Sequence, residues 1–147
     1  MDIFKGHQLI ALDTCVWIYH FENHPIYSLW TKPILQAISG GQCSAVMSEV
    51  SLLEILVQPL RLGLSETVAN YQLLLDNFPN LLIYPVTRQV TLTAASLRAN
   101  YGLRTPDALI LATGMVQGAT LMVTNDIDWK RVPKIQVVCL NDLLAHG

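Results

Sequence analysis

Leu9-Ile10-Ala11-Leu12 is an apolar run with no polar alternation, the pattern of a strand covered on both faces. Further strand-like runs follow at 44–47, 81–86, 120–124 and 135–140, with helical patterns between them. Strands alternating with helices imply a parallel sheet flanked by helices. The 147 residues, 52% of them hydrophobic, suffice for one domain with a sizeable core. The expected architecture is therefore a single α/β domain over 1–147, layered α/β/α around a sheet of about five strands.

Local signals place the helices. Asp13 or Thr14 can cap a helix over 14–21, and Pro25 opens one over 26–38 that Gly40-Gly41 ends. Ser48 caps a helix over 49–57, which Pro59 helps stop. Ser65 caps the next, to about residue 77, and Gly102 breaks a helix over 87–99. Thr105-Pro106 starts another, with Pro at its favoured first position, and Asn141 caps a short terminal helix.

Four carboxylates stand where this architecture can gather them. Asp13 ends the first strand, and Asp126 follows the run Leu121-Met122-Val123 and the turn-like Thr124-Asn125. Asp107 lies at the helix start Arg104-Thr105-Pro106-Asp107, and Glu54 sits within Val50-Ser51-Leu52-Leu53-Glu54-Ile55-Leu56. Ligand crevices in such sheets open at the carboxyl ends of strands. Each acid also has a plain structural reading. Asp13 can merely cap a helix, Asp126 can make a turn in competition with Asp128, Asp107 can answer a helix dipole, and Glu54 can lie on a solvated rim. Only 14% of residues are charged, so acids in apolar company are conspicuous. Gathered acids need compensation, and hard oxygen donors suit Mg²⁺ or Mn²⁺. The pattern points to metal-dependent phosphodiester chemistry.

Other classes are excluded or weakened. Cys15, Cys43 and Cys139 are scattered without metal-like spacing, and no secretory apolar region precedes residue 9, so reduced thiols in a cytoplasm are expected. Gly114, Gln117 and Gly118 divide the apolar stretch 108–123, leaving no span of about 20 apolar residues for a membrane. His7, His20, His24 and His146 show no catalytic spacing and read as surface or partly packed, and there is no phosphate-binding glycine loop. A phosphoacceptor receiver domain wants paired acids after its first strand and an acceptor Asp after a middle one. Here the first strand offers Asp13 alone, and 81–86 ends in Pro85-Val86. The net charge of −2 counts modestly against a large nucleic-acid interface, although bound metal would reverse the local sign.

The ordered motifs resemble the PIN domain, a small metal-dependent ribonuclease fold. Leu12-Asp13-Thr14 resembles its opening strand end, and Ser51-Leu52-Leu53-Glu54-Ile55-Leu56 its second motif. Thr105-Pro106-Asp107-Ala108-Leu109-Ile110-Leu111-Ala112 resembles its most specific motif, and Leu121-Met122-Val123-Thr124-Asn125-Asp126 its last. The resemblance runs from Leu9 to about Leu140, and the chain's size suggests the VapC-type toxins of toxin–antitoxin pairs. It implies an Mg²⁺- or Mn²⁺-dependent endoribonuclease whose metal is held by Asp13, Glu54, Asp107 and Asp126. Thr14 and Thr124 would orient carboxylates, and Arg104, Lys130, Arg131 and Lys134 would contact phosphates. It implies an RNA substrate and a cognate antitoxin. The aromatics Trp17, Tyr19, Phe21, Tyr27 and Trp30, with a mean hydropathy of +0.38, add a homodimer face or an antitoxin groove to the expectations. A non-catalytic binding module on the same fold is the alternative.

Overall fold

The computed structural model describes residues 2–144. In chain order the elements are β1 (Leu9–Leu12), α1 (Thr14–Phe21), α2 (Ser28–Ser39), β2 (Ser44–Ser48), α3 (Glu49–Arg61) and α4 (Ser65–Asp76). Then come β3 (Leu81–Tyr84), α5 (Arg88–Tyr101), α6 (Thr105–Val116), β4 (Leu121–Thr124), β5 (Gln136–Cys139) and α7 (Leu140–Leu144). Short 3₁₀ turns cover Asp2–Phe4 and Ile127–Arg131. The five strands are parallel, in the order β3-β2-β1-β4-β5.

Both faces of the sheet are covered, which is why its central strands carry no polar alternation. Ile10, Leu12, Ala45, Met47, Leu121 and Val123 join one core, with Trp17, Ile34 and Ile55 from α1, α2 and α3. Ala11, Val46 and Met122 point the other way, into a second core with Val90 and Leu97 of α5 and Leu111 of α6. The layers are thus α/β/α. From β1 the chain builds outward to β2 and β3, then returns to the other side of β1 as β4 and β5. The order reverses between β1 and β4, so a crevice opens between their carboxyl ends.

Several boundaries differ from expectation. α3 continues through Pro59 to Arg61, because Pro59 falls in the last turn and the Leu62 N–H still reaches the Gln58 carbonyl at 3.1 Å. β3 stops at Tyr84, before Pro85, which has no N–H for the ladder. Ser65 lies inside α4, where Leu64 holds the cap position without a side-chain bond. Asn141 does not cap α7 but lies within it, accepting from the Tyr27 hydroxyl at 2.7 Å. Ser48 does cap α3, through the Val50 N–H at 3.0 Å, and Gly102 ends α5 at φ +68°, which favours glycine. His146 lies outside the described residues.

Candidate active site

Asp13 stands at the carboxyl end of β1, beside β4, and caps α1. One carboxylate oxygen accepts from the Thr14 N–H at 2.7 Å. The other accepts from the Thr124 hydroxyl, also at 2.7 Å. Thr124 is fully buried at the end of β4, so its hydroxyl must find a partner inside the protein. Glu54 enters from α3, where Thr14 Oγ1 lies 2.6 Å from its Oε1 and 2.9 Å from Ser51 Oγ. One hydroxyl carries one proton, and the carboxylate is the stronger acceptor, so Thr14 donates to Glu54 and Ser51 donates to Thr14. Asp107 lies in the first turn of α6, its side chain 17% exposed, and accepts from the Arg104 Nε–H at 3.2 Å.

Asp13, Glu54 and Asp107 line one open cleft, together with Thr14, Cys15, Ile18 and Tyr19. Three separate helix starts or faces thus bring acids to one edge of the sheet. Asp126 stands beside this cleft, near enough for its charge to act on Arg104, which holds Asp107. It is exposed and caps the 3₁₀ turn, accepting from the Asp128 N–H at 3.0 Å. Its own N–H donates to Thr124 Oγ1 at 3.1 Å, so Thr124 links it to Asp13. Asp128 is exposed beside it. Of the four basic residues singled out, Arg104 stands against a cleft acid. Lys130 pairs with Asp142, Arg131 donates to the carbonyls of Asp128 and Tyr101, and Lys134 is exposed.

The cleft is electrostatically costly. Burial pushes the Asp13 carboxyl up to about 6, the hydrogen bonds from Thr124 and Thr14 work against that, and the charges of Asp107 and Glu54 add to it. Burial also pushes the Cys15 thiol well above its usual range, with the Asp13 charge adding to the effect. A cation in the cleft would relieve this cost. The donors are all hard oxygens, as Mg²⁺ and Mn²⁺ prefer. Among the described residues no three His, Cys, Asp or Glu side chains stand close enough to cage an ion unaided. Mg²⁺ fits such an open set, since it commonly binds through one or two carboxylates and keeps several waters.

The sequence reading missed Ser51, Cys15 and Tyr19 as parts of this site. Ser51 precedes Glu54 by one helical turn, a spacing that could have found it. A second groove, lined by Ile18, Phe21, Ile55, Pro59, Leu62 and Tyr71, runs between α1, α3 and α4, and Glu54 lies on its wall as well. Among the described residues no helix is long and apolar enough to cross a membrane.

Comparison with known proteins extends this picture. The family model described as PIN domain matches residues 10–135. The fold is similar to a toxin-antitoxin complex from Klebsiella pneumoniae, at 22% identity and a TM-score of 0.66 over 89% of this chain and 97% of that one. It is similar to VapBC2 from Rickettsia felis bound to a promoter DNA fragment, at 23% and 0.65 over 89% and 98%. DNA-bound VapBC from Salmonella typhimurium gives 17% and 0.69 over 89% and 97%. No curated protein matches.

Proposed function

The chain belongs to the PIN domain family, and from that premise we propose that it is an Mg²⁺- or Mn²⁺-dependent endoribonuclease, the toxin of a toxin–antitoxin pair. The observation that carries this reading is the convergence of Asp13, Glu54 and Asp107 on one cleft at the switch point of the sheet. Asp13, Glu54 and Asp107 would hold the cation, with Asp126 completing the acid set through its link to Thr124. When bound, the ion supplies a more acidic water and positive charge for the charge that develops at phosphorus. Thr124 fixes the orientation of Asp13, and the Ser51–Thr14 relay fixes that of Glu54. Arg104, 79% exposed, keeps its terminal guanidinium nitrogens free for a phosphate while its Nε holds Asp107.

The partner proposals rest on the surface. The groove between α1, α3 and α4 is apolar on most of its wall and acidic at Glu54. It suits an antitoxin helix that carries apolar anchors and a basic side chain. The exposed Leu53, Leu60, Leu73 and Leu74 lie on α3 and α4, and a homodimer would cover part of them. Free Cys15, Cys43 and Cys139 suit a reducing cytoplasm.

A second reading, a PIN module that binds without cutting, draws on the net charge of −2, which offers no basic surplus. Incubation with a total RNA pool, followed by end mapping, separates the two. The nuclease reading expects discrete ends that need Mg²⁺ and vanish with EDTA or in Asp13→Asn. RNA left intact by the folded wild-type protein at millimolar Mg²⁺ would defeat it.

A further inference from the structure

The acidic cleft has an aromatic wall that the metal chemistry does not use. Tyr19, in the last turn of α1, lines the cleft beside Asp13. Its ring stacks on Tyr27, with centroids 4.5 Å apart and planes inclined by 24°. His24 leans on both, at 5.1 Å from Tyr19 and 4.8 Å from Tyr27. All three rings are half-buried.

A closed set of hydrogen bonds holds them. Asn125 Nδ2 donates to the Tyr19 hydroxyl at 3.4 Å, and Asn125 Oδ1 accepts from the Asn141 N–H at 3.1 Å. Asn141 Oδ1 in turn accepts from the Tyr27 hydroxyl at 2.7 Å. His24 Nδ1 accepts from the N–H groups of Ile26 and Tyr27, which fixes that ring too. Asn125 sits between Thr124, which holds Asp13, and Asp126. The aromatic shelf is therefore tied to the strand end that bears the acids, and its geometry is set before any ligand arrives.

We infer that Tyr19, supported by Tyr27 and His24, is a nucleobase subsite that stacks an unpaired base next to the phosphate to be cut. The inference rests on the ribonuclease reading and deepens it by naming the residue on which the base beside the scissile phosphate would stack. It also addresses a physical difficulty of that reading. The chain has a net charge of −2, and with Lys130 paired to Asp142 and Arg131 bound to backbone carbonyls, Arg104 and Lys134 are left of the four basic residues singled out for phosphates. Stacking supplies affinity without charge.

The test uses short oligoribonucleotides with one abasic residue moved stepwise across the mapped cleavage site. Their binding is measured on folded Asp13→Asn protein, which leaves them uncut. One position should lose about 5- to 150-fold in affinity, the range of a single base–aromatic stack. Tyr19→Phe should keep that discrimination, because the ring remains, and Tyr19→Leu should erase it. Binding should weaken only shallowly with salt, as few phosphates are neutralised. If Tyr19→Leu does not fold, 5-iodouridine placed at the sensitive position should crosslink to Tyr19 in the unaltered ring set. A flat abasic scan, or a sensitive position that crosslinks elsewhere, overturns the subsite while cleavage by the wild-type protein stands. Absence of any cleavage by the wild-type protein overturns the ribonuclease reading and the subsite with it. A merely structural shelf would lower the melting temperature of Tyr19→Leu and leave the scan unchanged.

Discussion

At Asp13 two demands on one side chain conflict, and the conflict has a measurable sign. Its folded carboxyl titrates at about 6 against an ordinary 3.8. Between those values the folded chain keeps a proton that the unfolded chain has lost, so stability falls as pH rises through that window and the penalty is complete above it. The shift is worth up to about 3 kcal/mol at roughly 1.4 kcal/mol per pKa unit. Metal-free Asp13→Asn should therefore melt higher than wild type at pH 7, and the gap should shrink as pH falls towards 4. Melting curves at several pH values check this; a gap independent of pH would contradict it. Sequence position alone singled out Asp13, because strand ends in parallel sheets face the crevice. It did not reveal that Glu54 lines the same cleft, nor that Thr124 ties Asp126 to Asp13. Glu54 is drawn in by Thr14, thirty-seven to forty positions from Ser51 and Glu54, and such a contact leaves no local trace. Asp126 accepts from the Asp128 N–H, the Asx-type bond that the pattern Thr124-Asn125-Asp126 already allowed, while its own N–H reaches the Thr124 hydroxyl that holds Asp13.

Among the elements, α6 packs closely on the sheet and carries Asp107 at its start. A Cβ at Gly114 would lie 2.7 Å from Ala11 Cβ and 3.4 Å from Met122 Cε. The helix sits close to β1 because Gly114 and Ala11 are both small. Gly114→Ala should destabilise the protein by about 1–3 kcal/mol, as overpacking does, despite alanine's better helix propensity. It should also weaken metal binding, because α6 carries Asp107. Chemical denaturation measures the first effect, and wild-type stability in the variant would show that α6 can retreat without cost. The strands were legible because their apolar runs are short and covered twice. The helix ends were less so. Pro59 reads as a stop, yet it occupies a last turn where a missing N–H costs little and its ring packs inward. Asn141 reads as a cap, yet its partners, Asn125 and Tyr27, come from distant parts of the chain.

On the scale of the whole molecule, the exposed apolar surface lies on α3 and α4 more than on the early aromatic helices. Trp17 is buried, and Phe21 stacks on Tyr71 at 4.3 Å, whereas Leu62, on the groove, is 61% exposed. If the product of the adjacent reading frame is the proposed antitoxin, Leu62→Glu should leave the fold intact and abolish its copurification. Unchanged copurification would remove that groove from the interface. Sedimentation should show a dimer at micromolar concentration, and a monomer there would remove the dimer. Calorimetric titration with Mn²⁺ decides whether Asp13, Glu54 and Asp107 together form one divalent-cation site. Wild type should bind with an affinity that Asp13→Asn and Asp107→Asn each reduce at least tenfold while both variants stay folded. Equal Mn²⁺ binding by wild type and the two variants, or none by the wild type at millimolar ion, would contradict the shared site.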